Sequence, residues 1–265
     1  MYLLRKMVLA GLLFSAGVNM FAQESAYAYD ANGNLTKDLN KNIVDIQYNS
    51  LNLPSRIVFK NGDNISHVYS ADGSKLRTVR VADGDTLTTD YCGNVIYENG
   101  VPVRLMTDVG YIALSDTSYH YFIKDHQGNV RVVADEHGNA EEVNDYYAFG
   151  GLMSTSSRQS VQPYKYNGKE LETACGVNWY DYGARRYDPV LGRWNGVDPL
   201  CEDYYSENPY GYCGNNPVNY VDPNGLMKVL YNPDGTYKET THNNWFHNTF
   251  MGRQEYICLL YTSPS

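Results

Sequence analysis

Residues 180–200 read YDYGARRYDPVLGRWNGVDPL, and residues 207–226 read ENPYGYCGNNPVNYVDPNGL. Short tyrosine-rich runs alternate here with turn elements. Asp-Pro stands at 188–189, 198–199 and 222–223, and Asn-Gly at 195–196 and 224–225. Asn-Gly favours a tight hairpin because both residues tolerate positive φ. Proline presets φ and ends strand pairing. No helix persists through such punctuation, so the stretch reads as short strands and tight turns.

The same grammar extends outward. Tyr29-Asp30-Ala31-Asn32-Gly33-Asn34-Leu35 is followed by related units at 48–57, 69–79 and 123–131, and more weakly at 231–237. Their common form is Tyr-Asp/Asn-x-x-Gly, a turn, then a short alternating strand, and recurrence of this kind signals a repeat architecture. The Asp or Asn side chain is expected to stabilise the turn, Gly to supply positive φ, and Tyr to pack on a neighbour. Strands are predicted at 56–60, 75–81, 94–97, 111–114, 119–123 and 129–134, each rich in Val, Ile, Thr and Tyr. One helical turn is expected over 168–173 and a polar connector over 154–162.

Composition agrees with an all-β chain. Tyr contributes 26 residues, against 7 Phe and 3 Trp. Lys+Arg is 21 and Asp+Glu 30, a net charge of −9, so there is no electrostatic footprint for nucleic acid. Residues 1–22 carry a basic start (Arg5, Lys6), an apolar run from Met7 to Val18 and a small residue, Ala22, before Gln23. That is the pattern of a cleaved secretory signal. It places the mature protein outside the cytoplasm, secreted, periplasmic or on the cell surface, with membrane contact only during export. The apolar run is short for a membrane span. Five cysteines (92, 175, 201, 213, 258) show irregular spacing. Cys201 and Cys213 flank a turn and could pair, although incidental thiols fit as well. No pair has zinc-site spacing.

From Tyr119 the order YHYFIKDHQGNVRVV, DYYAFGG, PYKYNGKELETACGVNWYDYGARRYDP, LGRWNGVDPL, NPYGYCGNNPVNYVDPNGL closely resembles the RHS repeat-associated core domain. That domain closes the tyrosine–aspartate (YD) repeat shells of bacterial polymorphic toxins and of the C component of ABC toxins, and teneurins carry related shells. Arg186 stands where the family usually has an aromatic residue, and Asn195-Gly196 replaces a serine-type pair. The resemblance implies YD hairpins in a curved open sheet. It divides the chain into a signal peptide (1–22), a YD-repeat region (23–118), the core domain (119–226) and a variable C-terminal region (227–265).

The resemblance also implies chemistry. Where members of this family cut themselves, they do so after DPxGL, here Asp222-Pro223-Asn224-Gly225-Leu226. Asp198 and Asp222 would then form an aspartyl-protease-like pair assisted by Arg185, with Leu226–Met227 as the scissile bond. Two close carboxylates sharing one proton supply a base and an acid. Equally, Asp-Pro is a turn former, Asp198 and Asp222 could cap turns, and Arg185 could stack among tyrosines. His242 and His247 lack the further ligands of a metal or nuclease site, and His67, His120, His126 and His137 lie in repeat strands or turns. No cofactor or metal is expected.

The expected role is a scaffold fragment for a polymorphic-toxin effector. Its partners would be that C-terminal region, within the same chain, and the effector's immunity protein. The alternative is a non-enzymatic surface or secreted protein whose tyrosine-rich sheet binds proteins or carbohydrate. The 39 residues after Leu226 do not match the family, and 258–265 resemble adapter read-through. The authentic end is expected near Glu255.

Overall fold

The computed structural model describes residues 25–240 apart from 158–160, 204 and 232–236, with side chains described to residue 230. Residues 1–22, His242, His247 and Cys258 lie outside this set. The described residues contain strands, five single 3-10 turns and no α-helix.

Thirteen strands form one antiparallel meander, each paired with the next in sequence. They are β1 (Tyr27–Tyr29), β2 (Leu35–Asp38), β3 (Ile43–Tyr48), β4 (Pro54–Phe59), β5 (Asn64–Tyr69) and β6 (Lys75–Ala82). There follow β7 (Asp85–Cys92), β8 (Val95–Glu98), β9 (Val101–Thr107), β10 (Gly110–Ala113), β11 (Tyr119–Lys124), β12 (Val130–Asp135) and β13 (Ala140–Val143). The sheet does not close: β1 and β13 are its two edges. Bulges interrupt it at Ile43/Asp45, Gln47/Tyr48, Val68/Tyr69, Ile96/Tyr97 and Ile123/Lys124. Each inserts a residue, bends its strand and adds twist, which curves the sheet. The all-β, open curved sheet expected from the sequence is thus what the chain forms. Pairing runs without a break past residue 118, because β11 continues the meander from β10.

The repeat turns share one construction. At Asp30, Asp125 and Asp135 the residue's backbone N–H donates to the carbonyl four residues on, and the third residue after it (Gly33, Gly128, Gly138) donates back to its carbonyl. The aspartate Oδ1 accepts the amides two and four residues on: Asn32 and Asn34, Gln127 and Asn129, His137 and Asn139. Its Oδ2 accepts the closing asparagine's Nδ2 at 2.8–3.0 Å. The fourth position has φ near +80°, which glycine adopts without the Cβ penalty. Asn49 builds the same turn with Asn52, at φ +57°, in the glycine's place. The preceding tyrosine ties successive hairpins together. Tyr48 donates its hydroxyl to Leu35 O and Tyr69 to Pro54 O.

A four-stranded sheet, β14 (Glu170–Glu172), β15 (Trp179–Asp181), β16 (Arg186–Asp188) and β17 (Arg193–Trp194), packs on one face of the meander. Val177 and Trp179 complete an apolar core with Leu35, Ile43, Ile46, Ile57, Phe59 and Ile65. Beside it lies an ionic layer. Lys75 bridges Glu170 and Asp181 at 2.7 Å each, Arg80 pairs with Glu172, and Arg186 pairs with Asp181 and donates to Tyr69. An aromatic residue at 186 could not reach both partners, which accounts for arginine there.

The helical turn expected over 168–173 is a correction. Tyr166–Gly168 is a 3-10 turn, Glu170–Glu172 is strand β14, and a second 3-10 turn follows at Ala174–Gly176. The reason is the ionic layer: an extended chain puts Glu170 and Glu172 on one face, toward Lys75 and Arg80, whereas a helix would splay them apart. Cys201 and Cys213 do not pair; both are free thiols, as are Cys92 and Cys175.

Tyr166, Tyr180, Tyr182, Tyr187, Trp194 and Tyr212 form a second core. Tyrosine rather than phenylalanine is needed because the hydroxyls have work there. Those of Tyr166, Tyr187 and Tyr180 donate to the carbonyls of Ala148, Phe149 and Gly150, a loop with no strand partner for them. Tyr182 and Tyr212 share Asn167 Oδ1 at 2.7 Å each. A third sheet, β18 (Tyr220–Val221), β19 (Val229–Tyr231) and β20 (Tyr237–Thr240), follows this core.

Candidate functional site

Two hairpin loops meet beside the tyrosine core. The loop joining β15 to β16 carries Arg185, and the loop joining β18 to β19 carries Asp222 through Lys228. They touch backbone to backbone: Ala184 N donates to Asn224 O at 3.2 Å. Gly225 permits this approach. Its φ is +80°, and a Cβ there would stand 3.0 Å from Arg185 N.

Arg185 is buried, with its guanidinium 4.3 Å from the centre of the Trp194 ring. Nε donates to Gly225 O at 2.5 Å and Nη1 to Pro209 O at 3.3 Å. Nη2 donates to Asp198 Oδ2 at 2.8 Å and lies 3.6 Å from Asp222 Oδ2. One nitrogen therefore faces both carboxylates. Arg185 stacks on Trp194 rather than on the tyrosines expected from the sequence, with its face to the ring and its edge N–H groups toward the carboxylates.

Each aspartate divides its two oxygens between turn and arginine. Asp198 Oδ1 accepts Leu200 N at 2.8 Å. Asp222 Oδ1 accepts the amides of Asn224, Gly225 and Leu226 at 3.1, 2.7 and 3.3 Å. The Oδ2 atoms remain for Arg185. Capping the turn thus orients the second oxygen.

Burial dominates the electrostatics. It pushes the Asp222 carboxyl up to about 6, against the pull of Arg185 and the capping amides, with Asp198 adding a small further rise. Burial also raises Asp198, opposed by Arg185 and the Leu200 amide. The same desolvation lowers Arg185, while both aspartates act to raise it. Both carboxyls thus lie above their ordinary range around one cation, and Asp222 keeps its proton only below about pH 6.

Arg185, Asp198, Asp222, Leu226 and Met227 all line one cavity of about 30 Å3, room for an ordered water. Met227 is buried, and Leu226 N is held by Asp222 Oδ1 and Asn224 Oδ1. Trp194, Pro209, Glu207 and Lys228 also line the site and were not singled out in the sequence. For Trp194 a signal existed in its place before Asn-Gly. Pro209 acts through its carbonyl, which carries no residue signature. His126 and His137 are exposed, whereas His67 is buried against Thr78, and burial drives it well below its usual range. His120 stacks on Tyr111 at 4.4 Å. Among the described residues no cluster of three potential metal ligands occurs.

No family model matches the chain. It is similar to Salivary gland surface protein 1 of Aedes aegypti, with 30 % identity over 233 residues, 78 % of this chain and 7 % of that protein. It is also similar to Toxin subunit YenC1 of Yersinia entomophaga, with 36 % identity over 116 residues, 42 % of this chain and 12 % of that subunit. The crystal structure of TcdB2-TccC3 without hypervariable C-terminal region shares the fold over 75 % of this chain and 11 % of its own, with a TM-score of 0.60 and 21 % identity. The chain spans between 7 % and 12 % of the length of these two relatives.

Proposed function

We propose that this chain is the closing part of an RHS/YD shell, exported after removal of residues 1–22, which presents a C-terminal effector region and cuts itself from it after Leu226. Residues 119–226 would be the repeat-associated core, and the region from Met227 onward would lead into the effector, with an immunity protein as its further partner. The similarity to a toxin subunit and the fold shared with TcdB2-TccC3 support the shell reading. The observation that carries self-cleavage is the single nitrogen, Arg185 Nη2, between Asp198 Oδ2 and Asp222 Oδ2 in a cavity that the Leu226–Met227 segment also lines.

The geometry suits a division of labour. Asp198 has the closer contact to Arg185 and serves as the ionised base. Asp222, with Oδ1 occupied by three amides, carries its proton on Oδ2 and serves as the acid. Asp198 takes a proton from water as the oxygen adds to the Leu226 carbonyl carbon. Asp222 gives its proton to the Met227 nitrogen as the C–N bond breaks, leaving a carboxyl on Leu226 and an amine on Met227. Because the bond is tethered beside the carboxyls, no binding energy is spent on bringing it there.

The test is incubation of the purified chain between about pH 4 and 8, the interval spanning both carboxyls' range, followed by intact mass. Wild type should split between Leu226 and Met227, and Asp198→Asn should stay whole with its fold retained. A folded wild-type chain that never splits reduces Asp198 and Asp222 to turn formers.

A further inference from the structure

The chain beyond the candidate bond also has partners on the protein. Val229 pairs with Val221, so residues 222–228 are the loop of a hairpin anchored at both ends. Within that loop Lys228, the second residue past Leu226–Met227, forms an ion pair with Glu207. Gly214 cradles the pair: a Cβ there would stand 2.9 Å from Lys228 Nζ and 3.5 Å from Glu207 Oε2. The ammonium also lies 5.6 Å from the centre of the Tyr220 ring. The pair lies at the surface, with the Lys228 side chain 14 % exposed and largely covered and that of Glu207 36 % exposed.

Glu207 also adjoins the carboxyl pair. Two residues on, Pro209 O accepts both Asp198 N, at 3.0 Å, and Arg185 Nη1, at 3.3 Å. One short segment therefore grips the downstream chain with a carboxylate and the catalytic candidates with a carbonyl. Glu207 lines the same cavity as Asp198 and Asp222.

We propose that Glu207 is a positioning residue that selects a basic side chain two residues beyond the Leu226–Met227 bond and so seats that bond against Asp198 and Asp222. The inference rests on the self-cleavage reading above. It makes the cut depend on a charge in the departing segment, which a turn-forming role for the aspartates alone would not.

The experiment follows the cleavage of the full chain in Lys228→Arg, Lys228→Glu, Glu207→Gln and the reversed pair Glu207→Lys with Lys228→Glu. Lys228→Arg should cut at close to the wild-type rate. Lys228→Glu, which sets two carboxylates together, should slow about tenfold or more, and the reversed pair should regain most of that loss. In parallel, trypsin nicking after Lys228 is timed in the Asp198→Asn background, which reads the latch without self-cleavage. Glu207→Gln should speed that nicking. A wild-type chain that cuts while Lys228→Glu cuts equally fast, or a reversed pair that regains nothing, overturns the role of Glu207 alone. Equal trypsin nicking with and without the Glu207 charge also overturns it. A wild-type chain that stays whole overturns the self-cleavage reading and with it the selective role, even where trypsin shows the latch in place.

Discussion

Asp222 shows how one side chain serves two ends. Its Oδ1 holds the 222–226 turn together, and its Oδ2 faces Arg185 in a cavity that water could occupy. Because burial raises the folded-state carboxyl from 3.8 to about 6, its contribution to stability is fully present below the unfolded value and is lost as pH rises through about 6. A shift of that size corresponds to roughly 2–3 kcal/mol. In Asp222→Asn no ionisation remains, so the variant should gain on wild type by about 2 kcal/mol between pH 4.5 and pH 8. Urea unfolding at the two pH values measures this, and an unchanged difference would place the carboxyl at its ordinary value. Cleavage should follow the same titration from the other side. The rate should fall above about pH 6, where Asp222 loses its proton, and fall again in acid, where Asp198 gains one.

At the scale of the element, the YD turn is a closed hydrogen-bonding unit. Asp125 binds two amides and the Asn129 side chain, and its own amide and carbonyl close the loop. Asp125→Ala leaves those amides without their acceptor and should cost about 1–2 kcal/mol. Asp125→Asn keeps an Oδ1 acceptor, as Asn49 does in its own turn, and should cost less. Chemical denaturation of the three proteins checks the order. These turns were legible in the sequence because everything they need lies within five consecutive residues. The turn at Asp135-Glu136-His137-Gly138-Asn139 has the same bonds, although it was not among the units singled out in the sequence.

Across the whole molecule, stability depends on the small sheet covering the large one. Ile43, Ile57, Phe59 and Ile65 are buried together with Val177 and Trp179, and each such side chain contributes about 1.5–3 kcal/mol on burial. A chain ending at residue 163 keeps all thirteen strands of the meander yet uncovers that face. It should aggregate or bind a hydrophobic dye, and a cooperative denaturation curve from it would refute the dependence. Lys165 and Glu142 tie the connection to β13 by a buried contact of 2.5 Å. Burial pushes the Lys165 ammonium down while Glu142 holds it up. Glu142→Gln removes that partner and should cost about 3–5 kcal/mol, read as a lower midpoint in denaturant.

The sequence by itself determined the local matters. Strands of four to eight residues through β2–β13, the turn at each Asp-x-x-Gly and the absence of long helices follow from φ preferences and side-chain-to-backbone bonds that span few residues, whereas β1 and the strands from β14 to β19 are only two or three residues long. It also pointed, through family resemblance, to Arg185, Asp198 and Asp222, because Asp-Pro and the Arg-Arg-Tyr-Asp run are distinctive as text. Only the tertiary structure decided which groups meet. Glu170–Glu172 is a strand rather than a helical turn because Lys75 and Arg80 await its carboxylates, and those lie more than ninety residues away in the chain. Arg186 is an arginine because Asp181 and Tyr69 converge on it. Burial raises the aspartates even with an arginine beside them, and burial is a property of the packed assembly, not of any five-residue window. Glu207 reaches Lys228 for the same reason: charge at a distance of twenty-one residues becomes a contact only once β18 and β19 have paired and folded the chain back.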